Sequence, residues 1–259
     1  MEIKIENLKY KDTFDNLNLT LSSDKIIGIV GKNGAGKSSL LNLIYGSNKD
    51  FKGKIYIRDD KLQREKKKIS YLKQDSCEYL FFKHPLDYLK QELAKIDNEK
   101  LNNLLDLFGL KKDALYKEWL LISNSEIKKI LLIKVLMEDF SILLLDAPTN
   151  DLDQKSISNL IRYLKRKKHD DKNLIIILST TDSDFLLKVA DEIFVLSNKK
   201  IFSDSKFNAF NNIDLLNEIG IKTPDIIQFY KIAFAKKIKL IQRDNINDLI
   251  KDVYRNARV

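Results

Sequence analysis

The chain has 259 residues, 44% hydrophobic and 32% charged, with 46 lysines and arginines against 37 acids for a net charge of +9. That length suits one well-packed domain with an appendage, and that mixture excludes wholesale disorder. A single cysteine, Cys77, excludes a disulfide framework and a cysteine metal site, and no uncharged apolar run approaches the ~18 residues of a membrane span.

The first ten residues, MEIKIENLKY, mix charged and apolar residues and do not read as a leader, so the expected setting is a reducing compartment. Residues 2–10 alternate through Ile3 and Ile5 and then through Leu8 and Tyr10, and 17–21 alternate through Leu17, Leu19 and Leu21, which predicts two strands. An apolar strand over 26–30 runs into a glycine-rich loop, and a helix over 38–45 follows, stopped at Gly46. Gly53 between Phe51 and a strand at 54–57 gives a hairpin-like signal. Residues 83–138 are helix-rich, with one stripe at Leu86, Leu89 and Leu93 and another at Leu101, Leu104, Leu105 and Phe108 before Gly109. Buried-type strands at 142–145 and 174–178 flank a helical stretch at 154–167, a further strand lies at 193–196, and the pattern is helical after about residue 210. Apolar strands alternating with helices predict an α/β domain with a parallel sheet.

The chain holds only eight glycines, and four of them are Gly28, Gly31, Gly34 and Gly36. Residues 31–38 read GKNGAGKS between a predicted strand and a predicted helix, the context in which G-x-x-x-x-G-K-[ST] forms a phosphate-binding loop. Small residues let backbone N–H groups ring the phosphates, and the following helix presents its positive end. Lys37 supplies a charge for the terminal phosphates and Ser38 a hydroxyl for Mg²⁺. The expected nucleotide contacts are Gly31, Lys32, Asn33, Gly34, Ala35, Gly36, Lys37, Ser38 and Ser39. Downstream, SILLLD at 141–146 is an apolar strand ending in a carboxylate, and Asp146 is placed to hold Mg²⁺ beside Ser38. The basic excess reads as solvated lysine-rich surface before it reads as a site for an anionic partner. The runs at 61–68 and 162–172 contain acids and lack regular aromatic interleaving.

In this order the motifs resemble those of an ABC-type ATPase. A glutamine, Gln74, follows the strand-like Tyr71-Leu72, and LLLDAPTNDLD at 143–153 resembles the family's LLLDEPT…LD segment. The tail, DLLNEIGIKTPDIIQFY at 214–230, is similar to the C-terminal segment of energy-coupling-factor (ECF) ATPase subunits, and QDSCEYLFF at 74–82 resembles their Q-loop helix. The resemblance implies a P-loop NTPase fold of ABC ATPase type: a parallel-sheet core, an N-terminal antiparallel β subdomain and a helical subdomain at about 75–140. It divides the chain into an ATPase domain at 1–210 and a C-terminal helical extension at 211–259. By the same resemblance Gln74 touches Mg²⁺, Asp153 belongs to the D-loop at a dimer interface, and Tyr10 stacks on adenine. Phe14 is the alternative for that stacking, and an ordinary strand aromatic is the other reading of Tyr10.

Three departures qualify the resemblance. Ala147 stands where the family has its catalytic glutamate, and Thr181, in STTD at 179–182, stands where it has its switch histidine. The LSGGQ-like signature is ISNSE at 122–126, with Asn124 and Ser125 in place of glycines. Ser123 and Glu126 nevertheless keep capping-box spacing, so a helix start that faces a phosphate across a dimer is retained. Ala147 and Thr181 impair the site on this chain's own loop, while Asn124 and Ser125 impair the partner's. A homodimer would combine both faults twice, so the resemblance implies a heterodimer with a more regular second ATPase, bound to an integral membrane component and a substrate-binding membrane subunit. It also implies ATP and Mg²⁺ as ligands, uptake of a vitamin or transition-metal ion, and a place at the cytoplasmic face of the membrane. A non-catalytic ATP-sensing subunit is the second reading. A nucleic-acid- or ribosome-associated protein is the third, and nucleic acid is not the expected partner.

Overall fold

The computed structural model describes residues 1–58, 68–197, 199–238, 240–244 and 246–256. Most of the basic run at 61–68 therefore lies outside the described residues. The break in the N-terminal alternation has a structural cause. Strand β1 (Glu2–Tyr10) pairs antiparallel with β2 (Phe14–Ser22), and its register shifts between Ile5 and Leu8. Asn7, at φ 50°, is the bulged residue, and it carries Ile3, Ile5, Leu8 and Tyr10 to the same buried side despite the change of parity.

Gly53 corrects the hairpin expectation. It is not in a turn but inside strand β4 (Lys52–Arg58), which pairs antiparallel with β1 on the side opposite β2. Its φ is 98°, and a Cβ there would stand 2.5 Å from the Asn7 carbonyl oxygen, so the glycine permits the backbone contact at the bulge.

The main sheet has six strands in the order β5-β6-β7-β3-β8-β9. These are β3 (Ile26–Val30), β5 (Ile69–Leu72), β6 (Ile142–Asp146), β7 (Ile175–Ser179), β8 (Glu192–Ser197) and β9 (Lys200–Ser205). All neighbours run parallel except β8 and β9. Alternate residues of the central strands face two cores. Ile27, Ile29, Ile142 and Leu144 pack with β1, β2 and helix α1 (Lys37–Tyr45). Leu143, Leu145, Ile176 and Leu178 pack with the helices of the other face.

That second face carries α2 (Pro85–Glu92), α3 (Asn98–Phe108), α4 (Asn124–Met137), α5 (Gln154–Asp170) and α6 (Ser183–Val189), with short 3-10 turns at Glu78–Phe81, Lys112–Tyr116 and Trp119–Leu121. The stripe Leu101, Leu104, Leu105 and Phe108 is buried as its spacing requires, and Gly109 ends α3 in a left-handed conformation. The parallel sheet with its antiparallel β subdomain is the architecture of a P-loop ABC ATPase.

The C-terminal segment forms α7 (Lys206–Asn211), α8 (Ile213–Glu218), α9 (Asp225–Ala235) and α10 (Ile246–Asn256). Leu216, Ile221 and Ile227 join the core cluster that holds Phe185 and Leu187, and the Asp225 N–H donates to Asp184 Oδ1 at 3.1 Å. The tail is thus packed onto α6. The sequence reading missed β9, whose KIFSDS is too short and polar to stand out.

Candidate nucleotide site

Strand β3 ends at Val30 and the loop 31–36 delivers the chain to α1, which starts at Lys37 behind Gly36 at φ 102°. No side chain caps this helix and no acid lies in its first turn, so its positive end is open to an anion. Lys32, Asn33 and Gly34 form the exposed rim, with Ala35, Ser38 and Ser39 half-buried behind them. Lys37 is only 9% exposed, and its Nζ donates to the carbonyls of Gly31 at 2.7 Å and Lys32 at 3.1 Å. Burial pushes the Lys37 ammonium below its ordinary pKa, against the opposing charge of Asp146. The β1–β2 turn backs the loop: a Cβ on Gly36 would stand 2.2 Å from Thr13 Cγ2 and 3.1 Å from Phe14 Cζ.

Asp146 ends β6, which is separated from β3 by β7. Register places it opposite Ser179, and Ser179 in turn lies opposite Ile29, so the Asp146 carboxylate and the loop share the C-terminal edge of the sheet. Asp146 is 1% exposed; its Oδ1 accepts from the Ser179 hydroxyl, and among the described residues its buried Oδ2 has no hydrogen-bond partner. An orphaned buried carboxylate oxygen is costly, and a cation completes it. Gln74 is exposed two residues beyond β5, whose Leu72 lies opposite Leu145, so it emerges at the same edge. The Asp146 carboxylate, Ser38 hydroxyl and Gln74 amide are hard oxygen donors of the kind Mg²⁺ takes, and the set fits that ion.

Ala147 is buried with its N–H donating to the Ser179 carbonyl at 2.7 Å, and its φ of 45° is left-handed. Its methyl offers nothing to a water. Thr181 is exposed after β7, between buried Thr180 and Asp182, and Asp182 caps α6.

The capping box is formed. The Ser123 hydroxyl accepts from the Glu126 N–H at 3.3 Å and donates to Glu126 Oε2 at 2.8 Å, and the Ser123 N–H donates to the same carboxylate at 3.0 Å. These bonds hold the Glu126 carboxyl below its usual range. Asp153, expected at a dimer interface, has partners within its own chain. It caps α5 through the Ser156 N–H at 2.8 Å, and its Oδ2 lies 2.6 Å from Lys129 Nζ of the same chain. Both oxygens have partners within the chain, the second also taking the Ser156 hydroxyl at 2.9 Å.

Tyr10 belongs to the buried cluster under the β subdomain; its hydroxyl accepts from Asn48 Nδ2 at 2.9 Å, and Lys11 Nζ lies 5.2 Å from its ring centre. Phe14 is wholly buried in the same cluster. The sequence reading missed Ser179, Thr13, Lys128 and Lys129. A serine abreast of the Asp-terminated strand and lysines inside an otherwise apolar helix were the available signals.

Comparison with known proteins agrees with this geometry. Residues 14–150 match the sequence pattern of the ABC transporter family. The chain is 30% identical over 243 residues to the energy-coupling factor transporter ATP-binding protein EcfA2 of Mesoplasma florum, covering 87% of this chain and 76% of that protein. It is 27% identical over 252 residues to the EcfA2 of Clostridium acetobutylicum, covering 87% of each. In fold it resembles a bacterial ABC transporter cassette solved as a dimer, with a TM-score of 0.65 and 21% identity over 79% of this chain and 98% of that one. A motif order read from residues, a sheet that brings the motifs to one edge and relatives that span most of the chain all agree: the chain belongs to the ABC transporter family.

Proposed function

We propose that this chain is the ATP-binding energising subunit of an ECF-type membrane transporter, holding Mg-ATP at a dimer interface and coupling closure to a membrane component. The observation that carries the reading is the pairing of an uncapped helix start at Lys37 with the orphaned Oδ2 of Asp146 at one sheet edge. The loop 31–38 with Ser39 binds the phosphates, and Ser38, Gln74 and Asp146 hold the Mg²⁺, whose chemistry is to neutralise phosphate charge. Tyr10 is the residue assigned to stacking on the adenine, and Ser123 and Asp153 are assigned to the side toward the partner.

With Ala147 and Thr181 at the catalytic positions, the chain retains ATP rather than turning it over. Loss of a general base alone lowers the rate by roughly 10²–10⁴-fold. A more regular second ATPase then does most of the hydrolysis. Docking to the membrane component is supported by two neighbouring 3-10 turns, in which Phe81 is 87% and Leu120 92% exposed and whose Tyr79 and Trp119 rings meet at a tilt with centres 4.5 Å apart. Among the described residues no helix is long and apolar enough to cross a membrane, which suits a peripheral subunit at the cytoplasmic face. Uptake of a vitamin or transition-metal ion follows from the ECF likeness.

A second reading, a non-catalytic ATP-sensing subunit, is favoured by the same Ala147 and Thr181. Purification of the tagged chain from native membranes in detergent tests both. A second ATPase, two small membrane proteins and partner-dependent turnover support the energising subunit. An assembly whose turnover is unchanged without this chain's ATP site supports the sensor, and a chain that binds no ATP overturns both.

A further inference from the structure

The link between β7 and α6 is bonded to both halves of the candidate nucleotide site. The Ser179 carbonyl accepts the Ala147 N–H at 2.7 Å, one residue beyond Asp146. The Thr180 N–H donates to the Ile29 carbonyl at 3.1 Å, two residues before the loop begins at Gly31. Thr180 Oγ1 then accepts the Asp182 N–H at 3.1 Å, and Asp182 Oδ1 accepts the Phe185 N–H at 2.9 Å to start α6. The link therefore runs from the base of the phosphate loop straight into the first turn of α6.

The next two residues are held by the tail. The buried Ser183 hydroxyl donates to the Lys222 carbonyl at 2.5 Å, and Asp184 Oδ1 accepts the Asp225 N–H at 3.1 Å. The tail side is fixed in its turn. Pro224 opens α9, and the carbonyl of buried Thr223 accepts from Gln228 Nε2 at 2.8 Å. Ile221 and Ile227, on either side, belong to the core cluster that contains Phe185 and Leu186. Apolar packing alone would hold the extension on α6 without fixing its orientation. Two directional bonds, one donated by α6 and one accepted by it, set how residues 222–225 meet that first turn.

We propose that the C-terminal extension is a positioning element of the nucleotide site. Residues 222–225 hold the first turn of α6, and through it the link at 180–182, in the arrangement that ATP binding needs. The proposal rests on the reading of residues 31–38 as an ATP site. Ser183 and Asp184 act through the link and are positioning residues. The coupling is reciprocal: whatever draws the tail off α6 lowers ATP affinity, and ATP at the loop tightens the hold of α6 on the tail by the same factor.

The test measures Mg-ATP affinity of the purified full chain by equilibrium dialysis, under conditions where urea curves show each variant folded. Asp184→Ala removes the acceptor of one bond. Asp225→Pro removes its donor at the first position of α9, where proline suits a helix start and the preceding residue, at ψ 139°, is already extended. Each is expected to weaken ATP about three- to tenfold, the worth of one hydrogen bond, and Ser183→Ala by a similar factor. The double variant Asp184→Ala with Asp225→Pro is expected to lose no more than either single change, because both delete the same bond. Asp184→Asn keeps the acceptor oxygen and is expected to restore the affinity. Asp225→Ala is the control for the exposed Lys222–Asp225 ion pair, which Asp225→Pro also removes. Should Asp184→Ala fail to fold, Asp225→Pro and Ser183→Ala carry the same expectation. A joint that is only structural lowers the urea midpoints and leaves the ATP affinity of the folded chain unchanged. That result, or losses that add in the double variant, overturns the proposal. A wild-type chain that binds no ATP overturns the ATP-site reading instead.

Discussion

Lys129 Nζ lies 2.6 Å from Asp153 Oδ2 and so ties the start of the signature-bearing helix α4 to the start of α5. The pair joins the first turns of the two helices. Lys129 is the first cause, and the Ser156 N–H the second, of an Asp153 carboxyl held well below its usual range. The Asp153 side chain is half exposed, so its contribution is modest, about 1 kcal/mol. Asp153→Asn keeps a cap and loses the charge. Because the folded pKa is depressed, the wild-type advantage is complete above the ordinary carboxylate pKa of about 3.9 and shrinks as the pH falls below it. Urea midpoints of the two proteins at pH 7 and pH 3 check this. A gap that widens on acidification would contradict the ion pair.

Lys37 is the charge that the phosphate loop keeps folded across its own mouth, on the Gly31 and Lys32 carbonyls. On the proposed reading, a bound nucleotide would exchange those carbonyls for phosphate oxygens, a stronger charge-assisted contact. Lys37→Ala is therefore expected to weaken ATP by about 100-fold or more, measured by equilibrium dialysis with Mg²⁺ present. Unchanged affinity would refute the assignment of the loop.

The features legible in the sequence are those that short stretches of chain determine. The loop at 31–38 needs only its own strand and helix around it, and the Ser123–Glu126 box needs only four residues. The bulge at Asn7 was not legible, because it depends on Gly53 in a strand that pairs from far along the chain. Ser179 reaches Asp146 only through the register of β6 and β7. Lys128 and Lys129 are adjacent in an apolar helix, and nothing local says that one finds Asp153 while the other is left facing a cavity.

Gly36 and Gly34 separate two kinds of constraint. Both have positive φ, 102° and 79°, but a Cβ meets Thr13 Cγ2 at 2.2 Å from Gly36 and meets nothing within 4 Å from Gly34. Gly34→Ala is expected to cost about 1 kcal/mol from backbone conformation alone. Gly36→Ala adds overpacking and is expected to cost about 2–4 kcal/mol, with ATP affinity lost as the loop shifts. Thermal midpoints of both variants, and of Gly36→Ala combined with Thr13→Ala, check the contact. Partial rescue by the second substitution supports it, and equal losses at the two glycines would show that Thr13 does not brace the loop.

Ala147 holds a left-handed φ of 45° at the position after the metal-side aspartate, a conformation that suits glycine and strains any side chain. The Ser179 carbonyl, accepting its N–H at 2.7 Å, keeps the backbone there whatever the side chain. Ala147→Gly is accordingly expected to raise stability by about 1 kcal/mol with ATP affinity unchanged, read as a urea midpoint. Ala147→Glu restores a carboxylate but not the group missing at Thr181, which is exposed at the end of the neighbouring strand. Its turnover with the partner ATPase is therefore expected to rise only a few-fold, far short of the roughly 10²–10⁴ a complete general base supplies. The double change Ala147→Glu with Thr181→His is expected to recover most of that factor. Full recovery from Ala147→Glu alone would show that the side chain at 181 contributes nothing to turnover in this site.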